Sequence, residues 1–99
     1  MGWRVKVYPI VREELNGLSS SGTLSRRGML LAYNSLRLEL PQQARNFQNR
    51  RDPTDLDYFT YKVRFHDRDR WHWFTFYVND RVEPGLLIVE DLEHRSSGG

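Results

Sequence analysis

The sequence predicts an α+β fold in the order β-α-α-β-β-β, and three observations carry that prediction. The chain opens on a period-two run, in which Trp3, Val5 and Val7 alternate with Arg4, Lys6 and Tyr8. Two stretches with apolar residues at helical spacing follow. Three runs rich in β-branched and aromatic residues close the chain, separated by turn-forming residues. Helices grouped in one half and strands in the other give a helical hairpin packed on a mainly antiparallel sheet.

The elements take their places in order. The first strand lies in Trp3 to Val11, closed by Pro9, which also suits the first turn of a helix. Val11, Leu15 and Leu18 then share one face of a first helix, about Ile10 to Leu18. The cluster Ser19-Ser20-Ser21-Gly22 turns the chain, and Thr23 or Ser25 can cap a second helix running to about Leu40. Its apolar stripe is Leu24, Leu31 and Leu38 with Leu30, Tyr33 and Leu40, so Leu31 and Leu38 are expected in the core with Val63 and Phe65. Pro41 should interrupt this helix, with a further turn or two over Gln42 to Gln48. Asn49 to Asp57 is polar and proline-broken, a surface loop. Strands follow over Tyr58 to His66, Trp71 to Asn79 and Leu86 to Leu92, with turns at Asp67-Arg68-Asp69-Arg70 and Asp80 to Gly85. Ser96-Ser97-Gly98-Gly99 reads as a flexible tail, leaving a single domain over residues 1–95 of the 99.

Composition excludes several classes. With no cysteine, disulfide frameworks, thiolate metal sites and cysteine nucleophiles are ruled out. No apolar run approaches the roughly 18 residues of a membrane span, and no secretory signal is visible, so the expectation is a cytoplasmic protein without a membrane partner. Fifteen basic residues against thirteen acidic leave a net charge of only +2, so bulk charge says little about a polyanion partner. Residue type says more: all the cations but Lys6 and Lys62 are arginines, whose planar fork suits phosphate and stacks on bases, although a GC-rich genome produces the same bias with no function attached.

Alternation puts Tyr61, Val63 and Phe65 on one face of their strand and Lys62, Arg64 and His66 on the other. The second row could grip successive phosphates, or be the wet side of a sheet. The next strand, Trp71-His72-Trp73-Phe74-Thr75-Phe76-Tyr77, is aromatic in both alternating sets, as if each side were covered. Either one set is core and the other packs under a loop or partner, or the indoles of Trp71 and Trp73 form a shelf for unstacked bases. His66 and His72 flank a turn where Asp67 and Asp69 could complete a metal set, but the spacing matches no ligand motif and no metal is expected. His66, His72 and His94 are candidates for proton transfer in phosphodiester cleavage. Nucleophile-elbow and phosphate-loop patterns are absent.

The succession Tyr61-Lys62-Val63-Arg64-Phe65, then Phe74-Thr75-Phe76-Tyr77-Val78-Asn79-Asp80, then Ile88 to Arg95 resembles the basic strand, aromatic strand and basic-ended last strand of the RelE/ParE superfamily of toxins. That resemblance implies a curved sheet under a helical hairpin, and an endoribonuclease that cuts messenger on the ribosome by 2′-hydroxyl attack, without metal or cofactor. Carried over by position, Lys62, Arg64 and Arg95 match its cations, with His72 or His94 as acid or base, and Trp71, Trp73, Arg50 and Arg51 as RNA contacts. Trp73 stands where an arginine is expected, and the late tyrosine is missing. The resemblance also implies an antitoxin partner, and it leaves open a gyrase-inhibiting toxin of the same fold or a non-catalytic interaction module.

Overall fold

A computed structural model describes residues 2–48 and 58–97, the side chains of Phe47 and Gln48 excepted. Arg50 and Arg51, with the rest of the expected loop, lie outside the described residues. The fold is α+β. Strand β1 (Arg4–Val7) leads into α1 (Pro9–Ser20), α2 (Arg26–Asn34), a π-helical turn (Ser35–Glu39) and α3 (Leu40–Gln48), followed by β2 (Tyr58–Asp67), β3 (Arg70–Asn79) and β4 (Leu86–Ser97). The sheet order is β1-β4-β3-β2, antiparallel except for the parallel β1–β4 pair, which the helical crossover makes possible.

Pro9 stands at the first position of α1, where its missing N–H costs no helical hydrogen bond, and Val11 and Leu15 are buried beneath it. Ser25 caps α2, its Oγ accepting from Gly28 N–H at 3.0 Å. Ser25 is itself held from the sheet: its N–H and Oγ–H both donate to the Asp67 carboxylate at 2.7 Å. Burial pushes Asp67 up, but these two bonds and the charges of His72 and Arg68 outweigh it and hold the carboxyl below its usual range. Gly28 is the residue that permits the approach, since a Cβ there would lie 2.5 Å from Asp67 Oδ2.

The second helical arm departs from the expected stripe. Its buried residues include Leu24, Gly28, Ala32, Leu36, Leu40 and Ala44, a four-residue row, with Ser35 buried beside it, whereas Leu31 is 45% exposed and Leu38 64%. In a regular α-helix a four-residue row drifts by about 40° per step. The π turn, with Leu40 N–H bonded to Ser35 O, takes up an extra residue and keeps the row facing the sheet. Pro41 therefore does not end the arm. It follows directly on the π turn, where the backbone bonding has already changed.

The core lies between this arm, α1 and the inner face of the sheet, where Phe59, Tyr61, Phe74, Phe76, Val78, Leu87, Val89 and Leu92 are buried; Val63 and Phe65 pack against it partly buried. The β2–β3 hairpin turns on Arg68 and Asp69, both at positive φ, as a two-residue turn matched to strand twist requires. At the other end, Ser96 and Ser97 pair with His72 and Trp71, so β4 continues into the segment expected to be a tail.

Candidate functional site

Register assembles the outer face in rows. His66 lies opposite Trp71, Arg64 opposite Trp73 and Lys62 opposite Thr75. Across the next pair, Trp73 faces Arg95, and Thr75 faces Glu93. The central row is thus Arg64–Trp73–Arg95, with its two arginines set on either side of one indole at strand spacing of about 4.8 Å per step. Lys62, Arg64, His66 and Arg95 are all exposed. The Arg64 guanidinium sits 5.4 Å from the Trp71 ring centre and that of Arg95 5.2 Å from Trp73, both within cation–π range. His66 meets Trp71 edge-on at 5.4 Å.

A β-bulge decides which residue of β4 joins this row. Tyr77 pairs with Asp91 but its neighbour Val78 pairs with Val89, so Glu90 is an extra residue on β4. An unbroken ladder from Val78–Val89 would bring His94 opposite Trp73 and turn Arg95 inward. The bulge reverses that, placing Arg95 outside and Leu92 and His94 inside. The sequence carried the signal: inward apolar residues step from Leu87 to Val89 and then, out of phase, to Leu92.

The bulge turns His94 inward and alternation along β3 does the same for His72, so both histidines assigned to proton transfer lie on the inner face. His72 is 0% exposed, opposite Phe65 on the inner face. Its Nε2 lies 3.0 Å from Asp67 O and its Nδ1 2.9 Å from His94 Nε2. A carbonyl can only accept, so His72 Nε2–H donates to it, and His72 Nδ1 and His94 Nε2 share one hydrogen between them. Burial first, and then His72, push His94 below its ordinary value. The pair stacks at 5.2 Å within a ring cluster containing Phe65 and Phe74. It is structural, and the sheet separates it from Lys62, Arg64 and Arg95. His66 and His72 likewise do not meet across the hairpin. Among the described residues no group of three or more His, Asp or Glu is placed to hold a metal ion.

Of the two sides of β3, only the inner one is sealed among the described residues. Trp71 is 43% exposed, and Trp73, Thr75 and Tyr77 are partly exposed. The outer face changes sign within the row Lys62–Thr75–Glu93. Tyr58 OH donates to Glu90 and Tyr77 OH to Glu93, and Tyr8 and Asp91 share the same shallow cavity. The hydrogen bond to Glu93, with burial and the charges of Glu93 and Asp91, raises the Tyr77 phenol above its usual value. The face is therefore divided between a cationic, indole-bearing end near the hairpin turn and an anionic, tyrosine-bearing end near the bulge. Alternation in the sequence puts Lys62, Arg64 and His66 on one face, as the structure does, whereas Arg95, expected past a strand ending at Leu92, lies within β4.

No protein-family model, curated protein or solved structure matches this chain. No helix among the described residues is long and apolar enough to cross a membrane.

Proposed function

We propose that the outer face of the sheet binds single-stranded RNA and that the chain is a cytoplasmic toxin of the RelE/ParE kind, cleaving messenger on the ribosome and neutralised by an antitoxin protein. The observation that supports this reading best is the row Arg64–Trp73–Arg95. Its two guanidinium groups can each take a phosphate, and the indoles of Trp73 and Trp71 offer surfaces for unstacked bases. Lys62 extends the cationic track by one row on the β2 side, while Glu93 at the other end of that row and the carboxylates beyond it repel the backbone and bound the site.

Cleavage on this face needs no metal. The 2′-oxygen attacks the adjacent phosphorus as the bond to the 5′-oxygen breaks, leaving a 2′,3′-cyclic phosphate and a 5′-hydroxyl. A base accepts the 2′ proton and an acid returns one to the leaving oxygen. Arg64 and Arg95 would stabilise the charge gathering on the phosphate. Of the three histidines only His66 is on this face, so it replaces His72 and His94 as the candidate for moving the proton.

Primer extension on messenger in a translating extract tests the proposal. Discrete cuts are expected with the wild-type chain and none with Arg64→Ala/Arg95→Ala at unchanged thermal stability, whereas His72→Gln should matter only through stability. Inhibition of supercoiling by purified gyrase without cleavage would assign the gyrase-inhibiting branch instead. Neither effect would leave a non-catalytic module.

A further inference from the structure

Strand β2 is the last in the sheet, and among the described residues no strand pairs with it on the side away from β3. Its register with β3 runs unbroken, without a bulge. Over its Lys62–His66 half this makes a straight edge, in which alternate residues turn their N–H and C=O outward.

Beside this stretch of edge stand the two leucines that the helical arm fails to bury. Leu31 and Leu38 line a groove with Asn34, Ser35, Val63 and Phe65, whose charged members are Glu39 and Arg64. A further strand added to β2 would direct alternate side chains into that groove and the others onto the outer face, beside Lys62 and Arg64. It would satisfy the edge and cover the leucines together.

Charge selects the occupant. Two copies of β2 paired antiparallel about Val63 would set Lys62 against Arg64 of the other copy, like charges directly opposed, which destabilises a sheet. We infer that the Lys62–His66 edge of β2 docks an extended segment of a partner protein in which apolar residues alternate with Asp or Glu. The apolar set enters the Leu31/Leu38/Val63/Phe65 groove and the carboxylates lie against Lys62 and Arg64. This is strand addition, with affinity from the backbone ladder and specificity from alternate side chains. It goes beyond the RNA reading and does not depend on it.

The test titrates the folded chain with a short synthetic peptide alternating Val and Glu, and with a matched Val/Lys peptide, following binding and backbone amide exchange. Saturable binding of the Val/Glu peptide is expected, with exchange slowed at amides within Lys62–His66. Leu38→Gln and Arg64→Glu should each weaken it about tenfold or more at unchanged thermal midpoint. Arg95→Ala, two strands away, should leave it unaltered, which separates this edge from the RNA face. No saturation by about 1 mM peptide, equal binding of the Val/Lys peptide, or undiminished binding to Leu38→Gln would each overturn the inference. So would a concentration-dependent dimer of the chain that protects the same amides, since that would give the edge to a second copy.

Discussion

Strand β3 carries rings on both sides, and the two sides are covered by different means. Inward, His72, Phe74, Phe76 and Val78 are sealed beneath the helical layer. Outward, among the described residues, Trp71 carries the Arg64 guanidinium and the edge of His66, and Trp73 the Arg95 guanidinium. An aromatic strand thus need not be sandwiched between two layers: long cationic side chains can shelter one side while leaving it wet and able to exchange those contacts for a ligand. If the outer face binds RNA as proposed, the inner side measures stability and the outer side binding. Substitutions should separate the two.

Deleting Glu93 should have the largest effect, because it shortens β4 beyond the bulge by one residue and puts the two faces of the strand out of phase. With the bulge kept, Arg95 moves opposite Phe74 and into the ring cluster, where an unpaired charge costs roughly 3–5 kcal/mol; with the bulge lost, Leu92 turns outward, losing about 2 kcal/mol of burial, and Asp91 turns inward. Loss of the cooperative unfolding transition in denaturant is the expected result. A normal transition with intact RNA binding would mean that the phase of β4 does not set the faces.

Next in size is a pair on adjacent residues. Phe74→Ala opens a cavity in the core and should cost about 3–5 kcal/mol, read as a drop in the denaturant midpoint. Trp73→Ala, on the outer side, should cost under about 1.5 kcal/mol while weakening RNA binding. Equal losses of stability would erase the distinction.

The smallest effect is a pH dependence confined to the inner side. His94 is held below its ordinary 6.5 by burial and by His72. As pH falls through that value the unfolded chain takes up a proton that the folded chain refuses, so stability is full above it and declines below it. Asp67, held below its ordinary 3.8, contributes stability above that value that is lost as pH falls through its depressed one. A thermal midpoint that declines between about pH 7 and pH 5, and a flatter profile in His94→Gln, are expected. An unchanged slope in that variant would remove His94 as the cause.

Much of this was legible in the sequence, and what was not has physical reasons. The strands, the hairpin turn and the Lys62/Arg64/His66 row follow from period-two alternation, which a sheet must obey. The same parity already put His72 with Phe65 and against Arg64, so assigning it to a cationic site conflicted with the hairpin it flanks. The place of His94 depends on one extra residue in β4, visible only as the phase break between Val89 and Leu92. Leu31 and Leu38 misled because the seven-residue stripe assumes an uninterrupted α-helix, and no residue pattern announces the π turn that brings the four-residue row onto the sheet instead. The hold of Asp67 on Ser25, across 42 residues, is a tertiary contact that no local spacing encodes.

The most direct test of the account is the affinity of a short single-stranded oligoribonucleotide for the folded chain, measured by fluorescence anisotropy across a series of salt concentrations. If Lys62, Arg64 and Arg95 each neutralise one phosphate, log affinity should fall against log salt with a slope near about −2, from roughly −0.7 per contact. Arg64→Ala/Arg95→Ala should weaken binding by more than about tenfold and reduce the slope to near −0.7, and His94→Gln should leave both unchanged. Wild-type affinity and slope in the double arginine variant would contradict the claim that the outer face is the binding site.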